Sequence, residues 1–149
     1  MARSRLRLPS PTVAASPAAE QLVTLPTWLW LSNGWQEVSA TASVPGISVT
    51  AVAKPTSVAW SMGDGGAVTC DGPGTPFPAG ADPKSASPSC GYTYKTSSAG
   101  QRGDAFPVTV TVNWTVSWSG AGQSGVFPNM TTSASTAFRV AESQGIVTG

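Results

Sequence analysis

The sequence predicts an all-β fold, and three observations lead to this prediction. Apolar and polar residues alternate without a break over residues 106–119. Turn-forming residues recur about every ten residues, a spacing typical of an all-β sandwich. No segment of ordinary helical length carries the matching apolar spacing. At 149 residues the chain has the length of one domain with a buried core, with some residues left for a tail or linker.

Residues 1–24 are predicted to be a flexible Pro/Ala-rich linker or tail. Pro9, Pro11 and Pro17 are expected to prevent a regular element there. The basic residues near the N-terminus indicate a solvated end. The same prolines interrupt any apolar segment of a signal peptide, so we expect an export signal to be missing from this chain.

The folded domain is predicted to span residues 25–142, beginning with a strand over 28–31 that is apolar on both faces. Ser32–Gly34 then forms a turn. The next strands are predicted over 38–44 and 47–53, joined by a turn at Pro45-Gly46.

Lys54–Thr56 is expected to end the strand that begins at residue 47, because it contains Pro55. Val58, Trp60 and Met62 then alternate with Ser57, Ala59 and Ser61. This pattern predicts a separate strand after residue 56.

Residues 71–89 are predicted to form a long Pro/Gly/Ser-rich loop between the two cysteines, Cys70 and Cys90. Two cysteines in a chain of this composition favour a disulfide and an oxidising compartment, and two free buried thiols are the alternative. A disulfide closing this loop would stabilise the fold by about 3 kcal/mol.

The long alternating segment after the loop predicts a strand with one buried and one hydroxyl-rich face. Its apolar face consists of Phe106, Val108, Val110, Val112, Trp114, Val116 and Trp118. Residues 120–125 are predicted to be a flexible loop, and 127–140 a partner strand that completes a hairpin. Residues 143–149 are expected to be a C-terminal tail.

Charge and residue types exclude several classes of function. Charged residues make up 10% of the chain and the formal net charge is +1, so the sequence lacks the excess of basic residues that is typical of nucleic-acid binding. The chain has no histidine, so it cannot hold a Ser-His-Asp unit, a Cys-His unit or a His-ligated zinc. The spacing of Asp64, Asp71, Asp82 and Asp104 fits no calcium loop. We expect no enzyme activity, no cofactor, no metal and no membrane-spanning segment.

Two short strings carry a resemblance to a known family. Trp-Ser-Met-Gly-Asp-Gly (60–65) and the later Gly-Tyr-Thr-Tyr (91–94) resemble the hallmark of polycystin-type PKD domains. Those domains show Trp-x-Phe-Gly-Asp-Gly and later His-Thr-Tyr, so Met62 replaces the usual Phe and Tyr92 stands where His is typical. The resemblance covers residues 36–141 and implies an immunoglobulin-like β-sandwich. Its turn and fold residues would be Trp60, Gly63, Asp64, Gly65, Tyr92 and Tyr94.

The physical chemistry of these residue types agrees with a structural role. Gly63 and Gly65 permit a positive φ in a tight turn, and Asp64 can accept hydrogen bonds from the backbone N–H groups of that turn. Trp60 would fill the centre of the sandwich. Further segments, such as Leu-Pro-Thr-Trp-Leu-Trp-Leu (25–31), look like parts of uncharacterised secreted or cell-envelope proteins of actinobacteria. That resemblance implies an extracellular or envelope location without implying an activity.

The remaining tryptophans are the candidate binding residues. Trp28, Trp30 and Trp35 could stack on sugar rings or on a partner protein, or they could cover one end of the sandwich. The sequence therefore predicts a non-catalytic structural or protein-interaction module whose partner is a protein. The alternative is a carbohydrate-binding module that uses exposed tryptophans on a cell-surface glycan.

Overall fold

The computed structural model describes residues 7–17 and 20–142, apart from the side chains of residues 44, 128 and 129. The strands in these ranges are β1 (Thr12–Ser16), β2 (Gln21–Leu22), β3 (Thr27–Asn33), β4 (Val38–Val44), β5 (Ile47–Ser61), β6 (Ala67–Cys70), β7 (Gly91–Tyr92), β8 (Phe106–Gly120), β9 (Gln123–Phe138) and β10 (Val140–Ala141). A short 3₁₀ turn lies at Arg102–Asp104. The all-β prediction is confirmed.

Within the described ranges, no helix is long and apolar enough to cross a membrane.

The strands form one large antiparallel sheet and two small ones. The large sheet has the order β4-β5-β8-β9, and β6 pairs with β5. The small sheets are β1-β3-β7 and the parallel pair β10-β2. Leu29 of β3 packs into one buried cluster with Trp60 of β5 and Trp114 of β8. The core therefore joins the large and small sheets, an arrangement consistent with a β-sandwich.

The predicted strand at 28–31 and the predicted hairpin at 106–140 are both confirmed. In β8 the even-numbered residues from Phe106 to Val116 are buried, while Trp118 is only partly buried. On the opposite face of β8, the Thr109 hydroxyl lies 3.4 Å from the Ser135 hydroxyl of β9. The strand therefore has the two faces that its alternation predicts.

The prediction of a flexible loop over residues 120–125 is wrong. β8 continues to Gly120 and β9 begins at Gln123, so only Ala121 and Gly122 connect them. Both connecting residues have positive φ, 55° and 75°. This is the backbone geometry that favours a two-residue hairpin turn between twisted strands.

The prediction that Lys54–Thr56 ends a strand is also wrong. β5 continues through Pro55 to Ser61, with a β-bulge between Pro55 and Ser57. β4 pairs with β5 up to Ala53 and β6 pairs from Val58 onward, so on that side Pro55 has no neighbouring strand. Proline is tolerated at such an edge because no N–H is required there, and the bulge moves the buried face from odd to even positions.

The N-terminal prediction needs a further correction. Residues Thr12–Ser16 form β1, which pairs antiparallel with β3, and Gln21–Leu22 forms β2. Pro11 and Pro17 flank β1 and do not interrupt it. The predicted flexibility of residues 1–6 and the predicted tail at 143–149 lie outside the described residues.

Candidate functional site

The Trp60–Gly66 segment forms the tight turn that its glycines predict. Gly63 and Gly65 have φ of 84° and 93°. A Cβ at Gly63 would lie 2.5 Å from the carbonyl oxygen of Pro107, so a larger residue would also clash. The backbone N–H of Gly66 donates to Oδ1 of Asp64 at 2.9 Å, which confirms the predicted role of Asp64 in the turn.

The turn is tied to β7 by a tyrosine. The Tyr92 hydroxyl lies 2.9 Å and 2.8 Å from the two carboxylate oxygens of Asp64 and donates its proton to that carboxylate. Burial, followed by the hydrogen bond and the negative charge of Asp64, raises the pKa of Tyr92 to about 12. Sequence reasoning placed both residues in the motif but missed their contact, because 28 residues separate them.

Tyr94 continues the same cluster into the core. It is fully buried, and its hydroxyl donates to the carbonyl oxygen of Met62 at 2.9 Å. Its ring stacks on Phe106 with 5.2 Å between centroids and 4° between planes. Burial, with the charge of Asp64 adding to it, raises the pKa of Tyr94 above its ordinary value.

Trp60 fills the core as expected, being 1% exposed. Its Nε1 has no hydrogen-bond partner in the described part of the chain. The motif residues therefore act as packing and turn-forming groups. The Asp64 carboxylate accepts hydrogen bonds from Gly66 and Tyr92, so this pair holds the glycine turn against β7.

The long loop is closed covalently at its base. Cys70 and Cys90 form a disulfide, so the alternative of two free thiols is wrong. Beside it, Thr75 and Ser89 bond through their hydroxyls at 2.7 Å. Ser87 Oγ accepts the backbone N–H of Cys90 at 3.0 Å. The two ends of the loop are thus fixed by covalent and polar contacts together.

Trp28 holds the middle of this loop against β3. Its Nε1 donates to the carbonyl oxygen of Ser85 at 2.8 Å. Its ring meets Phe77 edge-on, with centroids 5.0 Å apart and planes at 85°. The side chain is 5% exposed, so it offers no open face to a sugar ring. Sequence reasoning missed this anchoring role, since 57 residues separate Trp28 from Ser85.

The other two candidate tryptophans are partly buried. Trp30 is half-buried and forms an isolated bridge with Gly74 of the loop. Trp35 is half-buried and packs against the core. Their predicted role in binding stays a prediction.

The aspartates do not converge. Asp82 Oδ1 accepts the backbone N–H of Lys84 at 2.9 Å, and Asp104 accepts that of Gly100 at 3.3 Å. Asp64 is held in its own turn. Among the described residues, no group of three or more His, Cys, Asp or Glu side chains is placed to hold a metal ion.

The loop contributes to one of the open depressions on the surface. A depression of about 360 Å³ is lined by Pro26 and Tyr92, by Ala86 and Ser87 of the loop, and by Val68 of β6. Comparison with protein families, with curated proteins and with solved structures found no match to this chain. The disulfide-closed loop and its anchors are therefore the best-defined candidate site.

Proposed function

We propose that this chain is a non-catalytic structural and protein-interaction module of a secreted or cell-envelope protein. Its fold would be an immunoglobulin-like sandwich of the PKD type. The observation that carries the proposal is the long loop over residues 71–89, which is held on the sheet by the disulfide and by Trp28. Binding residues commonly lie on loops that a rigid scaffold positions.

The residues that anchor the loop contact Trp28, and most of the residues between these anchors are exposed. Pro78, Pro83 and Lys84 are exposed, whereas Phe77 and Ser85 contact Trp28. A turn at Asp82 fixes the backbone next to Lys84, because Ser85 donates its N–H to the Asp82 carbonyl oxygen at 3.0 Å. Such an ordered loop loses less conformational entropy on binding than a mobile one, which favours recognition of a protein surface.

Two further observations support the location and the family. A disulfide in this chain favours an oxidising compartment. The burial of Trp60 in the core and the capping of the glycine turn by Asp64 support the PKD-like part of the proposal.

The proposal can be tested by binding to isolated cell envelopes of an actinobacterium. We expect the chain to bind, and we expect Lys84→Glu to weaken binding at least about tenfold, since charge reversal at an interface centre costs more than at its margin. Lys95→Glu is the matched control, because Lys95 is exposed outside the loop. It should bind like the wild type.

Treatment of the envelopes separates a protein partner from a glycan. If the partner is a protein, protease treatment of the envelopes should abolish binding, and treatment with glycan-degrading enzymes should leave binding unchanged. The reverse result would favour the carbohydrate-binding alternative. Binding no stronger than that of an unrelated domain, or equal binding by the Lys84 and Lys95 variants, would contradict the proposal.

A further inference from the structure

The outer edge of β9 is an unpaired strand edge. In the described part of the chain, β9 forms a ladder with β8 alone. Alternate residues of an edge strand direct their N–H and C=O groups away from the sheet, where another strand can pair with them. Residues 131–137 are the regular part of this edge, beyond the irregular register near Met130.

Residues 131–137 of β9 lack the features by which most other strand edges of this fold are protected. β2, β7 and β10 each have 2 residues, and β6 has 4. β1 has 5 residues and is flanked by Pro11 and Pro17. β9 has 16 residues and no charged residue, and its one proline, Pro128, and its irregular register both lie before residues 131–137. β4, the other edge of the large sheet, is also uncharged, but it has 7 residues and is followed directly by Pro45. Short length, charge and proline are the usual means of preventing edge pairing.

We propose that residues 131–137 of β9 pair antiparallel with the same residues of a second copy of this chain. The two large sheets would then join into one continuous sheet across a two-fold axis. The inference rests on the proposed function, since it names a second copy as one protein partner of the module.

The composition of the edge favours a second copy. Two identical antiparallel strands match each other by symmetry, which is the arrangement of most homodimers. With the axis at Ala134, Ser133 of one copy lies opposite Ser135 of the other. Both edges are uncharged and their side chains are small, so the approach meets neither repulsion nor a clash.

The two-fold pairing would also extend the hydroxyl face of the sheet. Ser133 and Ser135 are exposed on the same face as Thr109 and Thr111 of β8. The Thr109 and Ser135 hydroxyls already lie 3.4 Å apart across the two strands. Pairs of hydroxyls facing each other across the new strand boundary would repeat this contact.

Sedimentation equilibrium of the purified chain, from about 1 μM to about 1 mM, is the direct test. We expect the wild type to shift from monomer to dimer in this range. The double variant Ser133→Lys/Ser135→Lys places lysines opposite each other at the two-fold and should weaken dimerisation at least about tenfold.

A matched control places the same charges on the same face of an internal strand. Ser117 and Ser119 of β8 are exposed and two residues apart, and β8 is paired on both sides. Ser117→Lys/Ser119→Lys should dimerise like the wild type. Both variants should show the wild-type circular dichroism, so a folding defect would be visible separately.

Amide hydrogen exchange locates the contact. Alternate residues within 131–137 should gain protection as the concentration rises, and residues of β4 should not. A wild type that stays monomeric throughout, or a dimer that the Ser133/Ser135 variant forms equally well, would overturn the pairing. Binding of the monomer to envelopes through Lys84 tests the proposed function independently, so the two failures can be told apart.

Discussion

The disulfide-closed loop over residues 71–89 and the β8–β9 hairpin are ordered by different physical means. The hairpin is a long ladder with one irregularity near Met130, and β8 buries every second residue from Phe106 to Val116. The loop has no ladder of its own, and its order comes from one covalent bond and a few contacts distant in sequence. Order in the hairpin is thus distributed over many residues, whereas order in the loop depends on a few.

This difference predicts how each region responds to mutation. Loss of a central hairpin residue should destabilise the whole fold, because that residue belongs both to the common core and to the β8–β9 ladder. Loss of a loop anchor should loosen the loop and leave the sheets intact.

The largest effect is expected for Trp114→Ala in β8. Trp114 is 1% exposed, and its Nε1 donates to Thr132 Oγ1 at 2.9 Å. Its removal leaves a large cavity, so the free energy of unfolding should fall by about 3–5 kcal/mol. Urea denaturation followed by circular dichroism measures this. A loss below about 1 kcal/mol would mean that the core does not depend on this strand.

The double variant Cys70→Ala/Cys90→Ala should follow, with a loss of about 3 kcal/mol. The disulfide links residues 20 apart in sequence, so its removal frees a long segment of the unfolded chain. Reduced wild-type protein is the control and should show the same loss. Equal stability of the oxidised and reduced proteins would contradict this prediction.

A smaller effect is expected for Trp28→Phe, which removes the bond to Ser85 and keeps an aromatic ring. The global stability should fall by about 1 kcal/mol, the typical value of one hydrogen bond. Limited proteolysis should cut the loop faster, because its middle is released. Trp30→Phe is the matched control, since no hydrogen bond is found for the Trp30 indole within the described residues. Equal cleavage of both variants would argue against an anchoring role for Trp28.

The smallest effect concerns Tyr92 and is confined to alkaline pH. The pKa of Tyr92 is raised to about 12 in the folded chain, whereas an unfolded tyrosine titrates near 10. Between these values the unfolded state binds fewer protons, so stability is fully present below about pH 10 and is lost as the pH rises towards 12. Tyr92→Phe should make the loss between pH 10 and 12 shallower than in the wild type. Parallel curves for the two proteins would exclude this coupling.

Sequence periodicity was sufficient to predict β8 and its partner strand β9, because apolar and polar residues alternate along a strand with one buried face. β3 was predicted from its short apolar segment and the turn residues that follow it. The shift of apolar residues from odd to even positions near Pro55 was a visible sign of the bulge. A proline in a strand is nevertheless tolerated only where a neighbour is absent, and that depends on the sheet order.

The candidate site was less predictable for a related reason. The motif residues Asp64 and Tyr92 and the disulfide were identified from the sequence, but the contact of Trp28 with Ser85 was not. A hydrogen bond from an indole to a backbone carbonyl leaves no pattern in composition or spacing. Such long-range contacts are fixed only when the loop packs on the sheet.

Backbone order of the loop tests the central claim most directly, namely that residues 71–89 are presented as a fixed surface. NMR relaxation of the oxidised protein gives order parameters for the amides of Lys84, Ser85 and Ser89, which donate hydrogen bonds within the loop. We predict values near 0.85, equal to those of β8. Values below about 0.6 with the disulfide intact would contradict the claim.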